Sequence, residues 1–347
     1  MIDLTKNTGL LIGDRPEDYR FGSTSPIVHE VRNSTKDWRA FRSKEERQNQ
    51  NPEDRMHCVS ASATNLLEQQ ANWMLANNLW PADALKFWDK GYIVDRKFEF
   101  SRRFTAKMSG TTRAGNYFYK VWDSIRKDGI VPDSMYPDDP SLTWDEYYKN
   151  PGEELKLLGK DSLKYFSVLY EQFTGSTGAQ KKTALEMAPL QFGVTTQCGW
   201  DAEVPVCGLN ANHAVDNDFI RGDLSYEIFD SYMPYQKHLP KNYSIPICYR
   251  AILYPITRNV PVGPTSPANV LFPIDMKYGE TSLYVKDLQR VLKVIEPTTG
   301  FYGKLTQAAV WKFQKDNGLG NFFEFLFWRG RRCDKGTRDK LNKLYTI

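Results

Sequence analysis

The sequence predicts an α+β body followed by a small all-α module, and three observations carry that reading. Helical spacing of apolar residues dominates the first half, strand-like alternation takes over from Leu190, and a proline-rich segment then separates the last residues. The first helix is expected over Val59 to Leu79, where Leu66, Leu67, Ala71, Trp73, Met74 and Leu75 recur at helical spacing. "NYFYKVWDSIR" (Asn116 to Arg126) reads as a second, closed by Gly129 in "KDGIVP". Leu155 to Phe173 and Lys181 to Met187 are also expected to be helical. "LQFGVTT", "HAVDNDFI", "SYEIFDSY" and "YRAILYPI" then read as strands, with turns at "RGD" and "KN". "NVPVGPTSPANVLFP" (259–273) carries four prolines and reads as a linker. The expected organisation is a body over 1–258, the linker over 259–273 and the module over 274–347.

Composition narrows the classes. With 347 residues, 41% hydrophobic, 25% charged and 14% aromatic, the chain can bury a sizeable core, which excludes bulk disorder. A net charge of +4 gives no ground for a nucleic-acid partner. The charge is uneven, however. Positions 274–347 carry 14 Lys+Arg against 8 Asp+Glu, so the module is basic and the rest slightly acidic. A basic module suits a polyanionic surface, and an ordinary solvated basic face gives the same count. No run reaches the roughly 18 apolar residues of a membrane span. "MIDLTKNTGLLIGDRPEDYR" lacks a basic stretch followed by a long apolar core, so no secretion signal is expected. Five cysteines (58, 198, 207, 248, 333) are too few for a disulfide scaffold. Cys198 and Cys207 flank "GWDAEVPV" and could bridge a hairpin or stay reduced. Neither a cofactor motif nor a metal-ligand spacing is present.

One constellation carries chemistry. A cysteine nucleophile must become a thiolate, helped by a helix N-terminus or a histidine partner. Cys58 stands where the first helix begins. Taken alone it reads as a buried structural cysteine. "NANHAV" puts His213 at the start of a strand-like run, and Asp230 ends the strand that follows. Two antiparallel neighbours could bring their ends together, so that Asp230 fixes the tautomer and ring orientation of His213.

At these residues the body resembles the papain-like cysteine peptidases. "KDWRAF" around Trp38 looks like the family's opening Asp-Trp-Arg, "HCVSAS" its nucleophile and helix start, "NHAV" its histidine motif. "DSY" at Asp230 to Tyr232 stands where the family usually has Asn-Ser-Trp. Between them Ser101, Gly115, "GIVP" and "YP" match the family's middle. The resemblance implies a papain-like fold with Cys58, His213 and Asp230 as catalytic residues. It also implies a glutamine oxyanion donor, Gln50 at the family-like distance from Trp38 with Gln48 as its rival. Asp54-Arg55-Met56-His57 replaces the family's Gly-rich lead-in. Asp230 for Asn keeps the hydrogen-bond acceptor and adds a charge that stabilises an imidazolium. Tyr232 could take the place of the shielding Trp. His57 adjoins Cys58 but is not expected to serve as its base, because neighbours at a helix start point apart. With 57 residues ahead of Cys58 in this sequence, the family's inhibitory pro-segment is not expected. Without a secretion signal, the expectation is a cytosol-made, phage-type product, virion-associated or acting at the cell wall.

"LQRVL", "TGFYGKLTQAAVWKFQ", "GL" and "KGTRDKLNKL" within 274–347 resemble the three-helix peptidoglycan-binding module. Helices are expected over Val285 to Val294 and Thr306 to Asp316, with a closing helix from Lys335 to Leu344. The inserted "GNFFEFLFWRGRRC" either fills the module's own core or offers an apolar patch to a partner. Together the two resemblances imply a thiol endopeptidase directed to cell-wall peptide or wall-associated protein, with peptidoglycan as partner through 274–347. The alternatives are a processing peptidase for viral proteins, or a virion or tail structural or assembly protein that keeps the fold without the reaction.

Overall fold

"CVSASATNLLEQQANWMLA" forms the 19-residue helix α1 (Cys58–Ala76), and Cys58 through Asn72 are all buried. A helix buried on every side needs internal partners for its polar residues. Ser62 and Thr64 bond back to the carbonyls of Cys58 and Ser60, both at 2.9 Å. Gln70 reaches β8 (Ile247–Pro255), donating to the Ala251 carbonyl at 3.1 Å and accepting from the Leu253 N–H at 3.0 Å. Gln70 is therefore a docking point for that strand, while Glu68 accepts from the Phe100 N–H. The computed structural model describes residues 9–13, 27, 30–45, 48, 53–139, 141–196, 211–256, 272, 275–280, 283–294, 301–319 and 330–345. It divides into two units, Met1–Arg258 and Asn259–Ile347.

The first half adds further helices. They are α2 (Ala82–Trp88), α3 (Arg102–Met108), α4 (Phe118–Asp128), α5 (Trp144–Tyr147) and α6 (Glu153–Ser162), with a small hairpin of β1 (Ile93–Val94) and β2 (Lys97–Phe98). Ser101 caps α3 by accepting from the Phe104 N–H, and Thr143 with Glu146 forms a capping box on α5. Gly129 ends α4 at φ 73°, where a Cβ would run into the carbonyl oxygen of Gly159 on α6. The "KDGIVP" turn thus needs glycine for its backbone angle and for the close approach of α6.

Six antiparallel strands make the sheet: β3 (Phe166–Gln172), β4 (Leu190–Val194), β5 (His213–Ile220), β6 (Tyr226–Phe229), β7 (Gln236–Leu239) and β8, in the order β3-β8-β4-β5-β6-β7. The helix expected through Leu155 to Phe173 is corrected here. It stops at Ser162, and "FSVLYEQ" becomes β3, paired with β8 along its whole length. Its aromatic and branched residues suit a pleated surface, and a partner strand far along the chain decides the matter. The helix expected over Lys181 to Met187 is α7 (Gly178–Ala184), started early by a capping box of Thr177 and Gln180. β7 corresponds to no expected element. Buried ion pairs Glu171 with Arg250 and Arg42 with Asp218 tie β3 to β8 and the Trp38 segment to β5. Cys198, Cys207 and the loop between them lie outside the described residues.

The second unit has α8 (Leu283–Val291), α9 (Lys304–Asp316) and α10 (Lys335–Tyr345) around Phe272, Val285, Leu288, Tyr302, Val310 and Leu341. It is not all-α as expected. β9 (Met276–Lys277) pairs antiparallel with β10 (Arg332–Cys333), which closes the unit's core with Met276 and Cys333. Strands this short leave no periodic signal in the sequence. Residues 320–329 of the insertion and most of the 259–273 linker lie outside the described residues.

Gly129→Ala is expected to destabilise the first unit by about 2 kcal/mol or more, measured by urea unfolding, because the Cβ meets Gly159 backbone.

Candidate active site

Cys58 is the first residue of α1, the position at which a helix dipole favours a negative sulfur. The backbone of Ala214, the second residue of β5, lies near it and acts to lower the thiol's pKa. Burial opposes the dipole and wins: it pushes the thiol well above its ordinary range, helped by the nearby charges of Asp54 and Asp230. A thiolate here therefore depends on an adjacent cation.

His213, the residue before Ala214, is the candidate for that group. It opens β5, pairs with Val194 of β4, and is fully buried. Its Nε2 lies 2.6 Å from Oδ1 of Asp230, the residue just after β6. The β5–β6 pairing, with Asp216 opposite Phe229, brings the two ends together. Asp230 is buried as well, which alone would raise its carboxyl. The attraction of His213 and then of Lys237 outweighs that and holds it at about 2. Lys237, on β7, is 1% exposed. Its Nζ donates to Asp230 Oδ2 at 2.7 Å, to the Tyr232 carbonyl at 2.7 Å and to the Pro234 carbonyl at 2.5 Å. No local pattern points to it, because a lysine on an unforeseen strand has no motif.

Tyr232 stacks obliquely on the imidazole, ring centres 4.7 Å apart. Its hydroxyl donates to Asp54, which also accepts from the Met56 N–H at 2.7 Å. Gln50 lies outside the described residues. Its rival Gln48 is fully buried beside the site: its N–H donates to the Ser231 carbonyl at 2.9 Å, and its Oε1 accepts from the Ser231 hydroxyl at 2.9 Å. Its Nε2 donates to Asp54 at 3.0 Å and to the Tyr232 hydroxyl at 3.1 Å. Asp54 is thus a further site residue, one that the order of Cys, His and Asp along the chain does not point to. His57 turns away from Cys58. Its Nδ1 bonds the Tyr147 hydroxyl at 2.7 Å, and burial with the charges of Arg102 and Arg55 drives its pKa well down. It is held as a neutral structural imidazole. Among the described residues no group of His, Cys, Asp or Glu is placed to hold a metal ion, and no helix is long and apolar enough to cross a membrane.

No family model and no curated protein sequence matches the chain. Solved structures similar to it are cysteine proteases. One is xylellain from Xylella fastidiosa, at 14% identity over 73% of this chain and 98% of that one, with a TM-score of 0.49. A second is a procathepsin B from Trypanosoma congolense, at 10% identity over 74% and 88%, TM-score 0.46. A third is digestive procathepsin L 3 of Tenebrio molitor larval midgut, at 15% identity over 74% and 76%, TM-score 0.42. The likeness is distant, and the chemistry below stands on this chain's own residues.

Asp230 also makes a pH-dependent contribution to stability. Its folded pKa is depressed from 3.8 to about 2, so the contribution is present above pH 4 and is lost as pH falls through 2. It amounts to about 2 kcal/mol. Denaturant unfolding at pH 4 and pH 2 is expected to show this loss in the wild-type protein and not in Asp230→Asn.

Proposed function

We propose that the first unit is a papain-like thiol endopeptidase with Cys58 as nucleophile, His213 as proton carrier and Asp230 as its orienting carboxylate. The observation that carries the reading is the 2.6 Å bond from His213 Nε2 to Asp230, made beside a cysteine at the head of a helix. With Nε2 committed to Asp230, Nδ1 is the nitrogen that takes the proton of Cys58 Sγ. The thiolate attacks the peptide carbonyl carbon. The oxygen that becomes negative is held by the Cys58 backbone N–H and a glutamine amide, Gln50 by its distance from Trp38 or Gln48 by its place beside Asp54. The imidazolium then protonates the leaving amine, and water, deprotonated by His213, hydrolyses the thioester to return the thiol.

Access sets a condition on this scheme. Cys58 and His213 are both 0% exposed, so a substrate carbonyl reaches Sγ only when the surroundings open. The same burial favours the second reading, a virion structural or assembly protein that keeps the fold and has lost the reaction. We assign the second unit to peptidoglycan binding, supported by the basic balance of 274–347 and its "TGFYGKLTQAAVWKFQ" pattern. Peptide in or near the cell wall is then the substrate, and anchoring raises the local enzyme concentration there. A processing role on viral proteins uses the same site with the module as an assembly handle.

Thiol-directed labelling at pH 7 is expected to mark Cys58 in the wild-type protein, to vanish in Cys58→Ala and to slow at least ~10-fold in His213→Ala. Labelling indifferent to His213 supports the inactive scaffold instead. The full chain is expected to sediment with purified sacculi and a chain ending at residue 258 to stay in solution; equal behaviour of the two removes the wall-binding assignment.

A further inference from the structure

Lys237 is buried away from solvent, and all three of its donors are used at the site. One holds Asp230 Oδ2 and two hold the carbonyls of Tyr232 and Pro234. Asp230 presents its other oxygen to His213. The carboxylate therefore sits between two nitrogens, and the loop that carries Tyr232 is tied to the same ammonium.

The arrangement answers a requirement of proton transfer. His213 must alternate between imidazolium and neutral imidazole in each turnover. A buried carboxylate paired only with His213 would lose its counter-charge in every neutral phase, and a buried unpaired charge is strongly destabilising. It would then take the Nε2 proton of the imidazolium and leave the neutral ring protonated on Nδ1, the wrong tautomer to accept from Cys58. A second, permanent partner removes that alternative.

We propose that Lys237 is a positioning residue for the Cys58–His213 pair: it keeps Asp230 ionised through both charge states of His213 and fixes Tyr232 over the imidazole. The inference rests on the peptidase reading above for its catalytic consequence but not for its electrostatics. Lys237 touches neither substrate nor sulfur; it acts through Asp230. Among the described residues, the charged and titratable groups around His213 include Cys58 on α1, Asp54 in the segment before it, Asp230 and Tyr232 after β6, and Lys237 on β7. Removing the last leaves the negative charge of Asp230 without a counter-charge on its far side. That stabilises the imidazolium and raises the pH at which His213 gives up its proton. It also makes the buried carboxylate easier to protonate, so activity falls away at a higher pH on the acid side.

The test uses the full chain with Lys237→Gln, which keeps a hydrogen-bonding amide without charge, Lys237→Met, and Lys237→Arg, which keeps the charge. The His213 imidazole is titrated by NMR in each, with Cys58→Ala as the common background. The pH profile of kcat/KM on a fluorogenic peptide is recorded in the Cys58-containing proteins. The expected result is an upward shift of about one unit in the His213 pKa for the two neutral variants. In those variants the acid limb moves up by a similar amount, and kcat falls ~10-fold with KM nearly unchanged. Arginine is expected to stay within ~0.3 unit of the parent. A lowered melting temperature with the imidazole titration unmoved overturns the proposal and leaves Lys237 as scaffold. Should neither neutral variant fold, Lys237→Arg decides, since a shifted His213 titration with the charge retained equally overturns it. If the wild-type protein cleaves no peptide, the peptidase reading fails while the imidazole titration still reports the Lys237 coupling.

Discussion

Helix α1 is buried along nearly its whole length, and most of its polar side chains, Ser60 and Gln69 excepted, are committed to partners inside the protein. Much of the first unit follows from that constraint. Gln70 bonds the backbone of β8, Asn72 accepts from the Phe98 N–H of the small hairpin, and Glu68 accepts from the Phe100 N–H. From the other side Gln191 of β4 donates to the Val59 carbonyl and the Ser62 hydroxyl. These bonds fix the helix in rotation as well as in place, so the first residue of α1 has little freedom. A reacting sulfur gains from such rigidity, because proton transfer demands heavy-atom positions good to fractions of an ångström.

Rigidity has an electrostatic counterpart. The site places Cys58, His213, Asp230 and Lys237 in one buried neighbourhood, with half-buried Asp54 beside it. Burial pushes the thiol up, while opposite charges hold the Asp230 carboxyl down against the same burial. Two acidic groups of similar burial thus diverge according to their neighbours. The contrast separates a protonated thiol from an ionised carboxylate, as the proposed thiol–imidazole mechanism needs. His57, one residue from the sulfur, is kept neutral and bonded to Tyr147, which removes it from competition for the proton.

How much of this is legible in the sequence varies with the range of the forces involved. The extents of α1 and α4 follow from local periodicity and a terminal glycine, and they are readable to within a few residues. "HAVDNDFI" is readable as a strand, and the antiparallel link from His213 to Asp230 follows from one short turn. β3 reads as helix because the apolar run from Leu155 satisfies helical spacing until β8 claims it. β7 leaves no trace because "QKHL" has neither alternation nor branched residues, and it exists by pairing with β6. The strand pair in the second unit, joining Met276 to Cys333, is invisible for the same reason.

Local sequence by itself determined where the central helix starts, that a cysteine stands at its head, and that a histidine and an aspartate follow at the ends of neighbouring strands. Helix propensity, capping and short turns act over a few residues, so their pattern is written in order along the chain. Tertiary structure alone decided that Lys237 stands behind Asp230, that Asp54 gathers Tyr232 and Gln48, and that His57 faces Tyr147. Each is a pairing of buried or half-buried polar groups from separate segments. Which partners meet is set by the desolvation of charges in a packed interior, a quantity no local window of residues contains.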